Sequence, residues 1–160
     1  MTTTVGITTT AGRLDLALLD VGCGIGDTTL DAARRVGPSG LALGVDDSLT
    51  MVEQARRRAA DAGHAHIGFV HADAQTQRFA PLRFDAIVST RAPEVFADPE
   101  AGFRNLARAL RPGGRLAVVS REEPDRMHAV LTRAGLVDVS RVAVDDDAAP
   151  LWLMRARGRA

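Results

Sequence analysis

The sequence predicts an α/β fold, a mostly parallel sheet with helices on both faces. Three observations predict it. Short apolar runs, the mark of strands buried on both faces, alternate with stretches of helical periodicity. The alternation continues along one uninterrupted stretch, and such connections place a parallel sheet between layers of helix. A chain of 160 residues can also bury a core without disulfides or metal.

Leu16–Val21 is the first apolar run. A helix follows over Thr28–Val36, with Asp27 as its expected N-cap and Gly37-Pro38 as its stop. Leu41–Asp46 is the second run. The helix over Leu49–Ala62 is capped by Asp47-Ser48 and carries Val52, Ala55, Ala59 and Ala62 on one stripe. Glu53 and Arg57 have the spacing of an i,i+4 pair, and Gly63 ends the helix. Ile67–His71 and Phe84–Ser89 are the third and fourth runs. Pro99–Leu110 is helical, with Phe103, Leu106, Ala107 and Leu110 on its apolar stripe. Pro112-Gly113-Gly114 then turns the chain into a strand over Arg115–Ser120. Pro124–Ala134 is the last helix, burying Met127, Val130, Leu131 and Ala134. Val137–Val144 alternates as a half-exposed antiparallel strand does. Asp145–Pro150 reads as a turn, and Leu151–Arg157 as the strand that closes the hairpin. The Thr-rich start, Met1–Gly12, is expected to be a loose arm, leaving 13–160 as a single domain.

Composition removes several classes. The chain is 46% hydrophobic and 25% charged, ordinary for a globular protein. Twenty basic residues balance twenty acidic ones, so there is no basic excess of the kind nucleic-acid binding needs. Every basic residue is Arg, which excludes a Lys Schiff base or Lys general base in this stretch, and the lack of Tyr excludes a phenolic one. Cys23 is the single cysteine, so no internal disulfide forms. MTTTVGITTTAG has neither the basic start nor the apolar core of a signal peptide. No apolar run approaches the roughly 18 residues of a spanning helix. These readings give an expected cytoplasmic location, with neither membrane nor nucleic acid as partner.

The sharpest local signal is Asp20-Val21-Gly22-Cys23-Gly24-Ile25-Gly26-Asp27, between a strand and a helix. Glycines there permit positive φ and a close approach of ligand to backbone. A dinucleotide fingerprint reads G-x-G-x-x-G. Here the spacing is G-x-G-x-G, with Asp27 where the third glycine would stand. An N-cap carboxylate would occupy the helix N–H donors and repel a pyrophosphate. A nicotinamide oxidoreductase is disfavoured on both counts. Asp46 ends the second strand about 20 residues past the loop, placed to accept from two ribose hydroxyls or simply to shape a turn. Asp73 follows the third strand, where it could accept from an adenine amino group or serve the loop alone.

In order along Leu16–Ser120 stand LDVGCGIGDTT (Leu19–Thr29), ALGVD (Ala42–Asp46), FVHADAQ (Phe69–Gln75), RFDAIVS (Arg83–Ser89) and LRPGGRLAVV (Leu110–Val119). With these the chain resembles the class I S-adenosylmethionine-dependent methyltransferases, especially those acting on small molecules. The resemblance implies a Rossmann-like sheet of order 3-2-1-4-5-7-6 with the seventh strand antiparallel. It implies S-adenosyl-L-methionine as cofactor. Asp20, Gly22, Gly24 and Gly26 would surround its methionine moiety, with Cys23 a packing residue of the same loop. Asp46 would take the ribose, and Asp73 with Ala74 the adenine. The residue after the ribose acid is often apolar and packs on the adenine; here it is Asp47. Ser89, which ends the fourth strand, completes the cofactor-binding set, and the loop after it lies near the transferred methyl in the family. On that substrate side Thr90, Arg91 and Glu94 are the candidates, Glu94 as a base and Arg91 as a clamp for an anion. No distinct catalytic residue is assigned, because methyl transfer gains mostly from positioning.

Family members usually carry N-terminal helices over the active site and insertions after the fourth or fifth strand. About 15 residues precede the first strand here, and neither insertion is present. The expectation is that a second copy of the chain or a partner protein supplies the cover, a homodimer first. His64 and His66 lack a third ligand at suitable spacing, so no metal site is read. His128 falls between core positions, and Arg56–Arg58 reads as a solvated helix face. The expected function is methyl transfer to an O, N or C nucleophile of a small or carrier-bound molecule. The alternative is a protein that keeps the fold but not the transfer, acting as a cyclase-like enzyme or a binding partner.

Overall fold

A seven-stranded sheet of order β3-β2-β1-β4-β5-β7-β6 organises the described residues, with β7 antiparallel to both neighbours. The computed structural model describes residues 16–81, 83–90, 96–144 and 150–159. The Met1–Gly12 arm and most of the Asp145–Pro150 turn lie outside them, as do Arg91 and Glu94. The strands are β1 (Ala17–Val21), β2 (Leu41–Asp46), β3 (Ile67–His71), β4 (Phe84–Ser89), β5 (Leu110–Ser120), β6 (Val137–Val144) and β7 (Leu151–Arg157). The helices are α1 (Asp27–Val36), α2 (Leu49–Asp61), α3 (Pro99–Ala109) and α4 (Pro124–Arg133).

Alternation along β1 divides the core. Ala17, Leu19 and Val21 face Phe103 and Leu106 of α3 and Met127 and Leu131 of α4. Leu18 faces the other way, against Ala32 and Ala33 of α1. Below α2, Val52, Ala55 and Ala59 pack with Leu30, Cys23 and Phe69. Every residue of β1 is buried. That is the central position of a parallel sheet, and it explains an apolar run without alternation. At the far edge, β6 is mostly exposed and bulged, with Asp138 at φ 52.

Four sequence expectations change. Asp27 is not the N-cap of α1: Gly26 is, at φ 87 and with no side-chain cap, and Asp27 is the first helical residue. Gly26 holds that place because a Cβ there would lie 2.9 Å from the Phe69 ring and 3.1 Å from Ala55 Cβ. Ala62 lies past the end of α2 and is exposed. Glu53 and Arg57 are not joined as an ion pair among the described residues, unlike the i,i+4 pairs Arg35–Asp31 and Arg104–Glu100. Finally, β5 begins at Leu110, not Arg115, because Leu110 pairs with Phe84 and the Gly113 N–H donates to Gly158 O. The Pro-Gly-Gly segment is thus a bulge within the sheet rather than a turn before it.

The caps of the other helices follow their sequences. Ser48 accepts from the Met51 N–H at 3.4 Å and Asp98 from the Ala101 N–H at 3.0 Å, with Pro99 at the first turn. No helix among the described residues is long and apolar enough to cross a membrane.

Candidate functional site

Strand order reverses between β1 and β4, and ligands of open α/β sheets lie beyond the carboxyl ends of the strands at such a point. Val21 pairs with Val45 on one side and with Ser89 on the other, so three strands end together there. A shallow cleft of about 40 Å³ opens above them. Gly22, Asp46, Asp47, Asp73 and Ala74 line it, with Gln75 and Phe96 completing its wall.

The glycine loop is tied to β2 from below. The N–H groups of Gly22 and Cys23 donate to Val45 O at 2.8 and 3.1 Å. The Gly24 N–H donates to Asp46 Oδ2 at 2.8 Å, and the Ser48 N–H to Asp46 Oδ1 at 2.9 Å. Asp46 therefore joins the loop to the start of α2 while each oxygen keeps a further acceptor site. At Gly24, with φ 53, a Cβ would meet nothing within 4 Å, so the space above the loop is open.

Asp20 sits one strand position before the turn, fully buried. Its Oδ2 accepts from the Thr29 hydroxyl at 2.6 Å, and its Oδ1 is the single orphaned buried side-chain oxygen among the described residues. Burial pushes its carboxyl up to about 6; the Thr29 hydrogen bond opposes this and the Asp46 charge adds to it. The Cys23 thiol is pushed up to about 12 by burial first and then by the charges of Asp20 and Asp46. It packs against Leu30, Ala55 and Phe69 as a core residue of the loop.

Asp73 is exposed, and its Oδ1 accepts from the Gln75 N–H at 2.8 Å, closing its own turn. Ala74 is buried behind it, its carbonyl accepting from Asn105 Nδ2 at 2.9 Å. Asp47 is exposed and points to water, and its carbonyl meets His71 Nε2 at 3.0 Å. Ser89 is only 1% exposed, whereas Thr90 beyond it is half-buried. His66 Nε2 meets Ala33 O, His128 is exposed, and no cluster of metal-ligating side chains occurs among the described residues.

One participant was not legible in the sequence. Arg58 reaches from α2 to the glycine loop, donating to Ile25 O at 2.8 Å and to Asp27 Oδ1 at 2.6 Å. Arg56 likewise holds Phe69 O. Two members of the arginine run thus brace the loop and β3 instead of lying free in solvent. Asp27 is turned toward Arg58, so its carboxylate does not cover the helix N–H donors and no longer counts against a dinucleotide.

Residues 18–114 match the family described as methyltransferase domain. The chain belongs to this family. It is a class I S-adenosylmethionine-dependent methyltransferase domain. It is 35% identical over 112 residues to nocamycin O-methyltransferase of Saccharothrix syringae, covering 70% of this chain and 40% of that protein. It is 34% identical over 113 residues to the ubiquinone/menaquinone biosynthesis C-methyltransferase of Hahella chejuensis, covering 70% of this chain and 45% of that protein. The matched region is thus less than half the length of either relative. Among solved structures, a SAM-dependent methyltransferase from Aquifex aeolicus superposes with TM-score 0.77 at 20% identity, covering 89% of this chain and 82% of that one. That likeness shows the fold.

The residues of the methyltransferase domain fit its cofactor class. Asp46, Asp47 and Asp73 line the cleft, no Arg or His does among the described residues, and Asp20 keeps an unpartnered oxygen beside it. S-adenosyl-L-methionine brings a sulfonium and an ammonium, which such a field attracts; a pyrophosphate brings two negative charges, which it repels.

Proposed function

We propose that the chain transfers a methyl group from S-adenosyl-L-methionine to an O, N or C nucleophile of a small or carrier-bound molecule. The observation that carries this reading is the acidic, open cleft at the switch point, floored by a glycine turn whose Gly24 leaves room for a ligand. The bound cofactor supplies an activated methyl on sulfur. Asp46 would accept from the ribose hydroxyls with its remaining lone pairs, Asp20 would balance the ammonium, and Asp73 with Ala74 would flank the adenine. Thr90 stands at the end of β4 on the substrate side, with Arg91 and Glu94 the further candidates beyond it. Cofactor and nucleophile need alignment more than acid–base help, so this division assigns the residues to positioning.

Titration calorimetry with S-adenosylhomocysteine tests the binding. At 100 times Kd the ligand stabilises the fold by about 2.7 kcal/mol, a melting shift of roughly 5–10 °C at this size. NAD gives neither heat nor shift. No heat and no shift with millimolar S-adenosylhomocysteine sinks the reading. Binding without methylated product across a broad small-molecule screen favours the fold-only alternative.

Single substitutions divide the cleft. Asp46→Ala is expected to weaken binding by roughly 1.5–3 kcal/mol, the worth of hydrogen bonds to a charged group. Asp47→Leu is expected to leave binding unchanged or tighter, because an apolar side chain replaces an exposed carboxylate at the adenine side. A folded Asp46→Ala chain that binds like wild type removes the ribose assignment.

The open rim also bears on assembly. Water exclusion strengthens electrostatics at a reacting sulfonium and prevents side reactions, so a second copy of the chain or a partner protein is our reading of what covers the cleft. We read the chain as cytoplasmic, where its lone cysteine stays a free thiol. Light scattering with and without cofactor tests the homodimer.

A further inference from the structure

We propose that the chain carries a second ligand site, for a small phosphorylated anion, on the α3 side of the sheet. A cavity of about 570 Å³ lies between the β3–β4 connection and α3. That volume is within the range of small-molecule sites, about 300–1,000 Å³. Arg78 stands on the connection. Arg104 and Arg108 follow on α3 at i and i+4, so they share one helix face.

No carboxylate lines this cavity among the described residues. The Glu100 carboxylate beside it serves two guanidiniums, Arg104 at 2.6 Å and Arg133 at 2.8 Å. Arg78 and Arg108 have no ion pair among the described residues. Yet the whole chain is formally neutral, with as many acids as bases. Arg78 and Arg108 meet at the concavity without a carboxylate partner among the described residues, and a bound anion would offset their mutual repulsion. Guanidinium forks match phosphate oxygens with paired N–H donors. The cavity also has an apolar wall in Phe79, Pro81 and Ala101, which fits a small molecule bearing the phosphate better than an extended phosphate backbone.

The site shares a wall with the cofactor cleft, because Gln75 lines both. Asn105 pins that wall through Ala74 O at 2.9 Å and Gln77 O at 2.7 Å. The proposal does not depend on methyl transfer, and it concerns an anion where the cleft takes a cation.

Inorganic pyrophosphate is the probe, titrated calorimetrically against the full chain at low salt. The expected result is saturable one-to-one binding, weakened about tenfold or more in the double variant Arg78→Ala/Arg108→Ala. That variant should bind S-adenosylhomocysteine as wild type does, which shows that it is folded and separates this test from that of the cofactor. Arg155→Ala/Arg157→Ala removes the same charge from exposed positions of β7 and should leave pyrophosphate binding intact. No saturable heat with wild type at about 10 mM, or equal weakening in both double variants, overturns the site.

Discussion

Gly24→Val is expected to abolish cofactor binding, a loss on the order of 100-fold or more, in a chain that still folds. The two effects separate because of where a Cβ would go. At Gly24 it meets no atom within 4 Å, so no packing is disturbed. The residue does sit at φ 53, and a β-branched side chain in that region costs about 1–2 kcal/mol. The variant should therefore melt several degrees lower and remain cooperative. What the valine fills is the open space above the loop, through which a ligand reaches the backbone. Gly26→Val behaves differently, since its side chain would drive into Phe69 and Ala55, and it should fail to fold. Circular dichroism melting and calorimetry with S-adenosylhomocysteine check both. A folded Gly24→Val chain with wild-type affinity would falsify the placement of the cofactor over this turn.

The second large effect is a pH dependence carried by Asp20. Its carboxyl is raised from 3.8 to about 6 in the folded chain, mainly by burial. The native state therefore holds the proton more tightly than the unfolded state. The resulting stability is present below pH 3.8 and is lost as pH rises through about 6. The full amount is on the order of 3 kcal/mol, and somewhat under half of it falls between pH 5 and pH 7.5. In Asp20→Asn the amide oxygen still accepts from Thr29, and this component of the pH profile is gone. Denaturant midpoints of the two proteins, compared at those two pH values, measure the difference. A cationic ligand should reverse the balance by favouring the carboxylate, so cofactor affinity of the wild type falls below about pH 6 while that of the variant stays flat. Identical profiles in both proteins would show that Asp20 titrates normally.

The two effects describe one compromise. At neutral pH the apo chain keeps a buried, half-satisfied carboxylate beside its cleft, which is unfavourable for folding. A group of that kind persists where a ligand completes it, and perturbed carboxyls cluster at functional sites for this reason.

Much of this arrangement is decided by residues in sequence order. The bounds of β2, β3 and β4 coincide with the apolar runs read from the chain, and those of β6 and β7 with the two strands of the closing hairpin. Each run is short, apolar and bordered by turn residues, and such segments have little freedom to shift. The glycine turn, the acid ending β2 and the acid after β3 are equally local, because a strand end followed by a helix start fixes where each side chain emerges. Gln75, the last residue of the FVHADAQ motif, lines the cleft as well, which its position could have signalled.

Other features depend on partners far apart in the chain. The start of α1 moved because the Phe69 ring, from β3, leaves room for hydrogen only at Gly26. Arg58 belongs to the site because α2 packs beside the loop, and its charge is spent on Ile25 O and Asp27. Taken alone, an arginine run on an amphipathic helix reads as solvated. The start of β5 depends on Phe84 pairing with Leu110 and on Gly158 reaching Gly113 across the sheet. The sequence by itself determined the order of strands and helices, the glycine turn and the acids that border it, since these follow from patterns a few residues long. Only the tertiary structure decided which glycine caps the helix, which arginines hold the loop and which carboxylate oxygen lacks a partner. Close packing and the meeting of groups 20 or more residues apart set those outcomes, and no local pattern encodes them.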